Sequence, residues 1–224
     1  MGMQGLLSTI TQSEDFAQLR SGLRLGLAEQ AVIGLVGSQK ASYIAGLYEE
    51  VKGNLQLKKG PLFVITYTIY RAEQLHADLM SFIPQEDLFF FPPQEVYVYE
   101  EVTRNLDILR DRLLGYRGLL ERSTPILIVP IQALAEKLIP PEVFLSQTFT
   151  VNMESRVDLE ELSARLVNMG YQRVDLVDAP AQFSIRGGIV DIYPLTEELP
   201  VRVELFDDEV DSIRKFNPET QRST

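Results

Sequence analysis

Residues 182–222, QFSIRGGIVDIYPLTEELPVRVELFDDEVDSIRKFNPETQR, decide how the chain is read. Within them Val201, Val203 and Leu205 alternate with Arg202, Glu204 and Phe206, the period of two of a strand with one buried and one wet face. That register sets Phe206 in water beside Arg202. A large aromatic on a wet face is unusual for structure alone and common at the centre of a protein interface. The plainer alternative has Phe206 ending the strand and tucking under a neighbouring loop. Arg186 precedes Gly187 and Gly188, and a glycine pair inside a strand pattern predicts a bulge or kink that re-aims the adjacent side chain. Arg186 would then point outward near Arg202. Two arginines and an aromatic on one small face make an anchor cluster; two arginines paired with local carboxylates make an ordinary solvated face. The residues allow both.

The 224 residues are 45% hydrophobic and 24% charged, which suits one or two domains with real cores. Cysteine is absent, so disulfide and thiolate chemistry are excluded and a reducing cytoplasm is expected. No apolar run approaches the roughly 20 residues that span a bilayer. The opening MGMQGLLSTITQSEDF lacks a signal peptide's basic flank and apolar block, so a cytoplasmic protein off the membrane is expected. A net charge of −11 would on average repel a phosphate backbone. Any nucleic-acid role must be local or lie outside these residues.

Along the chain, Ser13 can cap a helix carrying Phe16, Leu19 and Leu23, and Gln30 to Val36 reads as a buried strand. Gly37 and Ser38 turn into a helix over 40–52. A second buried strand is expected at 62–66, a helix over 69–83, and a third strand at 87–91 stopped by Pro92 and Pro93. The leucine spacing predicts a helix over 102–120 with Arg104, Arg110 and Arg112 on its polar side. A fourth strand at 126–129 and a short helix over 132–138 follow, and Pro140 with Pro141 close the unit. Strands alternating with helices predict an α/β domain over 1–147 with a mostly parallel sheet covered on both faces. After it the pattern changes: a strand-like 148–152, a helix over 159–169 capped by Asp158 and stopped at Gly170, then strand over 171–177 and the meander. A smaller α+β domain is expected over 148–224.

The first strand, turn and helix stand where a phosphate-binding loop would. That loop needs GxxxxGK[ST], in which glycines close backbone N–H groups around phosphate and the hydroxyl binds magnesium. Here Gly34 and Lys40 remain, while Gln39 replaces the second glycine and Ala41 the hydroxyl. The pattern predicts a structural remnant without nucleotide, metal or cofactor. LFDDE at 205–209 resembles an ATPase strand ending in Asp-Glu, but the strand before it alternates, so Asp207 and Asp208 are expected in a hairpin turn. His76 is the single histidine, so no histidine metal cluster or catalytic triad can assemble, and no catalytic residue is assigned. The aromatic stretch from Phe89 to Tyr99 could stack on bases, yet three successive phenylalanines more simply make strand core.

The runs SIRGGIVDIYP and LPVRVELFDDEVDSIRKFNPETQRS, with GLVGS in the remnant loop, resemble the N-terminal portion of the bacterial transcription-repair coupling factor family, itself similar to the repair protein UvrB. The resemblance covers essentially the whole chain and is most specific in its second half. It implies that the first domain is a RecA/UvrB-like parallel-sheet domain with a degenerate P-loop, and that the second recruits UvrA. By motif, the family's UvrA-contacting residues fall on Arg186, Arg202 and Phe206. Where UvrB carries a long aromatic hairpin that probes DNA, this chain has only PPQEVYVYEE, so damage verification is not implied. The family's RNA-polymerase-binding module and ATP-driven DNA translocase would lie beyond Thr224, as would the distant C-terminal part that masks the recruiting face. Two other functions stay open on the residues: a divergent P-loop ATPase or helicase subunit, and single-stranded DNA binding through 89–99.

Overall fold

The computed structural model describes residues 3–54, 57, 59–94 and 106–223. They form two compact units, one of Met1–Thr103 with Asp111–Lys137, the other of Arg104–Arg110 with Leu138–Thr224.

The first unit opens with helices α1 (Met3–Thr11) and α2 (Glu14–Arg24). Ser13 caps α2 as expected, its hydroxyl accepting from the Phe16 N–H at 3.3 Å. Helix α3 (Gln39–Gly53) buries Ala41, Ala45 and Tyr48. Strands β1 (Leu62–Thr66), β2 (Leu88–Phe90) and β3 (Ile126–Pro130) form a parallel sheet in the order β1-β3-β2. Helices α4 (Ile69–Leu79), α5 (Leu106–Glu121) and α6 (Ile131–Leu134) complete the alternation. Thr68 caps α4 by accepting from the Arg71 N–H. One face of the sheet meets Ala45, Tyr48, Ala72 and Leu79 of α3 and α4. On the other, Leu127 and Val129 of β3 pack with Phe89, Phe91, Leu119 and Ala133.

Several expected elements differ. Residues 30–36 form no strand: they pair with none of the three strands, and Ile33 and Val36 lie exposed. An apolar run becomes a strand only by finding an edge that accepts its backbone groups, and periodicity cannot supply one. Only β3, the central strand, is buried throughout. In β1, Phe63 and Ile65 on the α5 side stay exposed, so cover on both faces holds for the middle of the sheet and not its edge. Helices α4 and α6 end earlier than expected, and of the 102–120 helix the part before Leu106 lies outside the described residues, as does Arg104. Arg112 is not on a wet face. It is buried, donating to the Pro92 carbonyl at 2.7 Å and forming an ion pair with the Glu136 carboxylate at 2.7 Å, with the Phe91 ring 4.5 Å away. His76 lies against Phe90, and burial pushes its imidazole below the ordinary value.

In the second unit Pro141 starts a helix, α7 (Pro141–Gln147); proline suits the first turn, whose N–H is unpaired anyway. The expected strand at 148–152 is irregular, although Phe149 and Val151 reach the core. Helix α8 (Leu159–Asn168) follows the sequence closely, with Asp158 accepting from the Glu160 and Glu161 N–H groups and Gly170 past its end at φ 89°. The strand expected over 171–177 shrinks to β4 (Gln172–Arg173). Strands β5 (Gln182–Arg186), β6 (Ile189–Ile192), β7 (Val201–Phe206) and β8 (Glu209–Lys215) form an antiparallel meander, with β4 added in parallel beside β5. One sheet face carries Phe183, Val190, Val203 and Val210 against Leu162 and Leu166 of α8.

Candidate functional site: the second face of the meander

Strand pairing sets the other face. Ser184 lies opposite Asp191, Asp191 opposite Arg202, and Arg202 opposite Arg214; the next row on the same face is Arg186, Ile189, Glu204 and Ser212. Because side chains alternate across a strand, Arg186 and Arg202 share the face that α8 leaves open. Phe206 ends β7 on that face and is 80% exposed. Arg186, Arg202 and Phe206 thus lie on one sheet face.

The glycine pair works differently from the expected bulge. Gly187 and Gly188 form the two-residue turn between β5 and β6, with Arg186 opposite Ile189. Gly187 takes φ 59°, which costs glycine no Cβ clash. Gly188 lies flat against β7: its carbonyl accepts from the Leu205 N–H at 2.7 Å, and a Cβ there would meet the Leu205 carbonyl oxygen at 2.9 Å. The bulge is between β7 and β8, where the register shifts at Glu204/Leu205. Past it Asp207 takes φ 60° in the tight turn to Glu209, so Asp207 and Asp208 are turn residues as their sequence suggests.

The guanidinium groups are not free. Arg202 donates from Nε to Asp191 Oδ1 at 2.7 Å and from Nη2 to Oδ2 at 2.9 Å, while Arg186 donates from Nη2 to Oδ2 at 2.6 Å. The Asp191 side chain has no exposure, Arg202's has 18%, and Arg186's has 48%. Arg202 also lies over the buried Phe216 ring, 4.7 Å from its centroid. Hydrogen bonding to Asp191 holds the Arg202 guanidinium above its ordinary value against the opposing effect of burial. One carboxylate under two arginines leaves a net positive charge, presented chiefly by Arg186. Asp191 is the residue sequence reasoning misses. Its signal is an acid inside the apolar run IVDIY, but that becomes informative only once β6 and β7 are paired.

The segment 34–41 belongs to the first unit. Gly34 and Gly37 take φ 84° and 52°. Gln39 begins α3 and its Oε1 accepts from the Val36 N–H at 3.0 Å, so this side chain occupies a backbone donor of the segment before the helix. Lys40 is exposed and Ala41 is buried at 0%. Among the described residues no group of three or more His, Cys, Asp or Glu could hold a metal ion, and no helix is long and apolar enough to cross a membrane.

Residues 149–224, a span that includes α8 and the meander, match the family model of the UvrB interaction domain. The similarity extends beyond it. Over 221 residues, 99% of the chain, it is 38% identical to a transcription-repair-coupling factor of Bacillus subtilis, and over 218 residues, 97% of the chain, 36% identical to those of Staphylococcus aureus strains. The chain spans 18% of the length of these curated relatives.

Proposed function

We propose that residues 148–224 are the module by which a larger transcription-repair-coupling protein recruits UvrA, bringing nucleotide excision repair to stalled RNA polymerase. The observation that carries this reading is Phe206, 80% exposed on the same sheet face as Arg186 and Arg202. A benzyl group held in water at a strand end, on the same face as an arginine with spare donors, has the anchor composition of an interface centre. The family match from residue 149 supports the domain division at 147/148. Phe206 fills an apolar pocket on UvrA and Arg186 makes a charge-assisted bond to an acceptor there. In this reading the first domain, 1–147, is a RecA/UvrB-like motor domain whose P-loop has decayed, with Gln39 drawn onto the loop backbone and alanine in place of the magnesium-binding hydroxyl. The chain itself binds and does not catalyse. ATP-driven translocation, polymerase contact and DNA contact reside in other parts of the parent, whose C-terminal part makes an intramolecular contact with this chain.

The test is titration of purified UvrA with the 224-residue chain by calorimetry. Phe206→Ala and Arg186→Ala should each weaken binding by about 1–3 kcal/mol. Unchanged affinity in the double variant removes the proposal.

A further inference from the structure

We propose that Asp191 is the positioning residue of the recruiting face: it holds the Arg186 guanidinium in place for an acceptor on the partner, and the geometry makes that acceptor a carboxylate. This inference rests on the reading that the face binds UvrA, and it concerns a residue that makes no partner contact of its own.

An exposed arginine at a hairpin end ordinarily samples many rotamers, and ordering it on binding costs affinity. Here a fully buried carboxylate removes that freedom beforehand. Asp191 is fixed because a buried charge must be compensated, and Arg202 compensates it from two nitrogens while its own plane is pinned over Phe216. The second oxygen, Oδ2, then also accepts from Arg186 at 2.6 Å. Arg202 is therefore the brace and Arg186 the contact, a division that burial supports, since the Arg186 side chain is 48% exposed against 18% for Arg202. The bond to Asp191 uses one of the five donors of Arg186, and the rigid fork of the rest suits a planar carboxylate. Ile189, directly opposite Arg186 and partly exposed, gives that guanidinium an apolar neighbour on the same face.

The experiment is a double-mutant cycle between Asp191 and Arg186 on UvrA affinity, using folded Asp191→Asn, together with side-chain 15Nε relaxation of arginines in the unmodified chain. Asp191→Asn should weaken binding about tenfold, and Arg186→Ala should then cost far less than it does with Asp191 present. In the free protein Arg186 Nε should be as ordered as Arg202 and more ordered than the exposed Arg222. Additive losses, or an Arg186 as mobile as Arg222, overturn the inference. The relaxation arm decides it even if Asp191→Asn does not fold. If Arg186→Ala and Phe206→Ala leave affinity unchanged, the recruiting-face reading has failed; if they weaken it but the cycle is additive, only the role of Asp191 has.

Discussion

Truncating Arg202 would remove two of the three hydrogen bonds that compensate the buried Asp191 carboxylate, whereas truncating Arg186 removes one and leaves the better-buried pair intact. The sequence alone presents these arginines as equivalent hot spots, each replaceable with little effect on stability. The structure separates them. Arg202→Ala is expected to lower unfolding stability by about 3 kcal/mol, the low end for breaking a buried pair because Arg186 still partly compensates, and urea denaturation checks this. Phe206→Ala should leave the unfolding free energy from urea denaturation within about 0.5 kcal/mol of the parent, since an 80% exposed ring contributes little to the core. The two measurements together separate the residue that builds the face from the residue that is presented on it.

Among the elements, α3 is tied to the entrance of β2 by a compact polar cluster. The Tyr48 hydroxyl donates to Asp87 Oδ2 at 2.6 Å, and Lys52 Nζ donates to both the Tyr48 oxygen and Asp87 Oδ2, at 2.6 and 2.8 Å. Burial pushes the Tyr48 hydroxyl up to about 12, with the Asp87 bond adding to it. Burial would also raise the Asp87 carboxyl, but its bonds to Lys52 and Tyr48 outweigh that and hold it below its ordinary value. A carboxyl depressed in the folded state contributes stability that is present above its unfolded pKa, about 4, and lost as pH falls through the folded value. A raised tyrosine contributes stability that is complete below its unfolded pKa, about 10, and lost as pH rises toward the folded value near 12. Urea midpoints against pH should therefore fall at both ends, and Asp87→Asn should flatten the acid limb. On the meander, Gly187→Ala places a Cβ at φ 59° and should cost about 1 kcal/mol, read from the same denaturation curves, while displacing the neighbouring Arg186.

For the whole molecule, the net charge and the geometry of segment 34–41 lead to a joint prediction. With a net charge of −11 and Gln39 holding a backbone donor of the loop, MgATP should give no rise in melting temperature, and Lys40→Ala should leave the melting profile with nucleotide unchanged. Single-stranded DNA should show no saturable anisotropy change at physiological salt. Nucleotide-dependent stabilisation lost in Lys40→Ala would restore the ATPase alternative. A salt-sensitive DNA shift would restore the aromatic stretch as a stacking site, although Phe91 is buried, Phe89 and Phe90 pack partly buried against the two sides of the sheet, and the rest of that stretch from residue 95 lies outside the described residues.

What could be read from sequence alone is what local periodicity encodes. The two-residue alternation of 201–206 sets which side chains share a face, whatever strand lies alongside. Ser13 and Asp158 cap their helices because the bonds they accept come from the next turn of their own chain. The Asp207–Asp208 turn is legible for the same reason. Tertiary structure alone decides pairing: that 30–36, as apolar as any strand, finds no edge, and that Asp191 faces Arg202 across the β6–β7 ladder with Arg186 brought to the same carboxylate. Periodicity is a property of neighbours along the chain. A buried charge pair depends on which strands meet and in what register, and only the competition among all edges of the folded chain settles that.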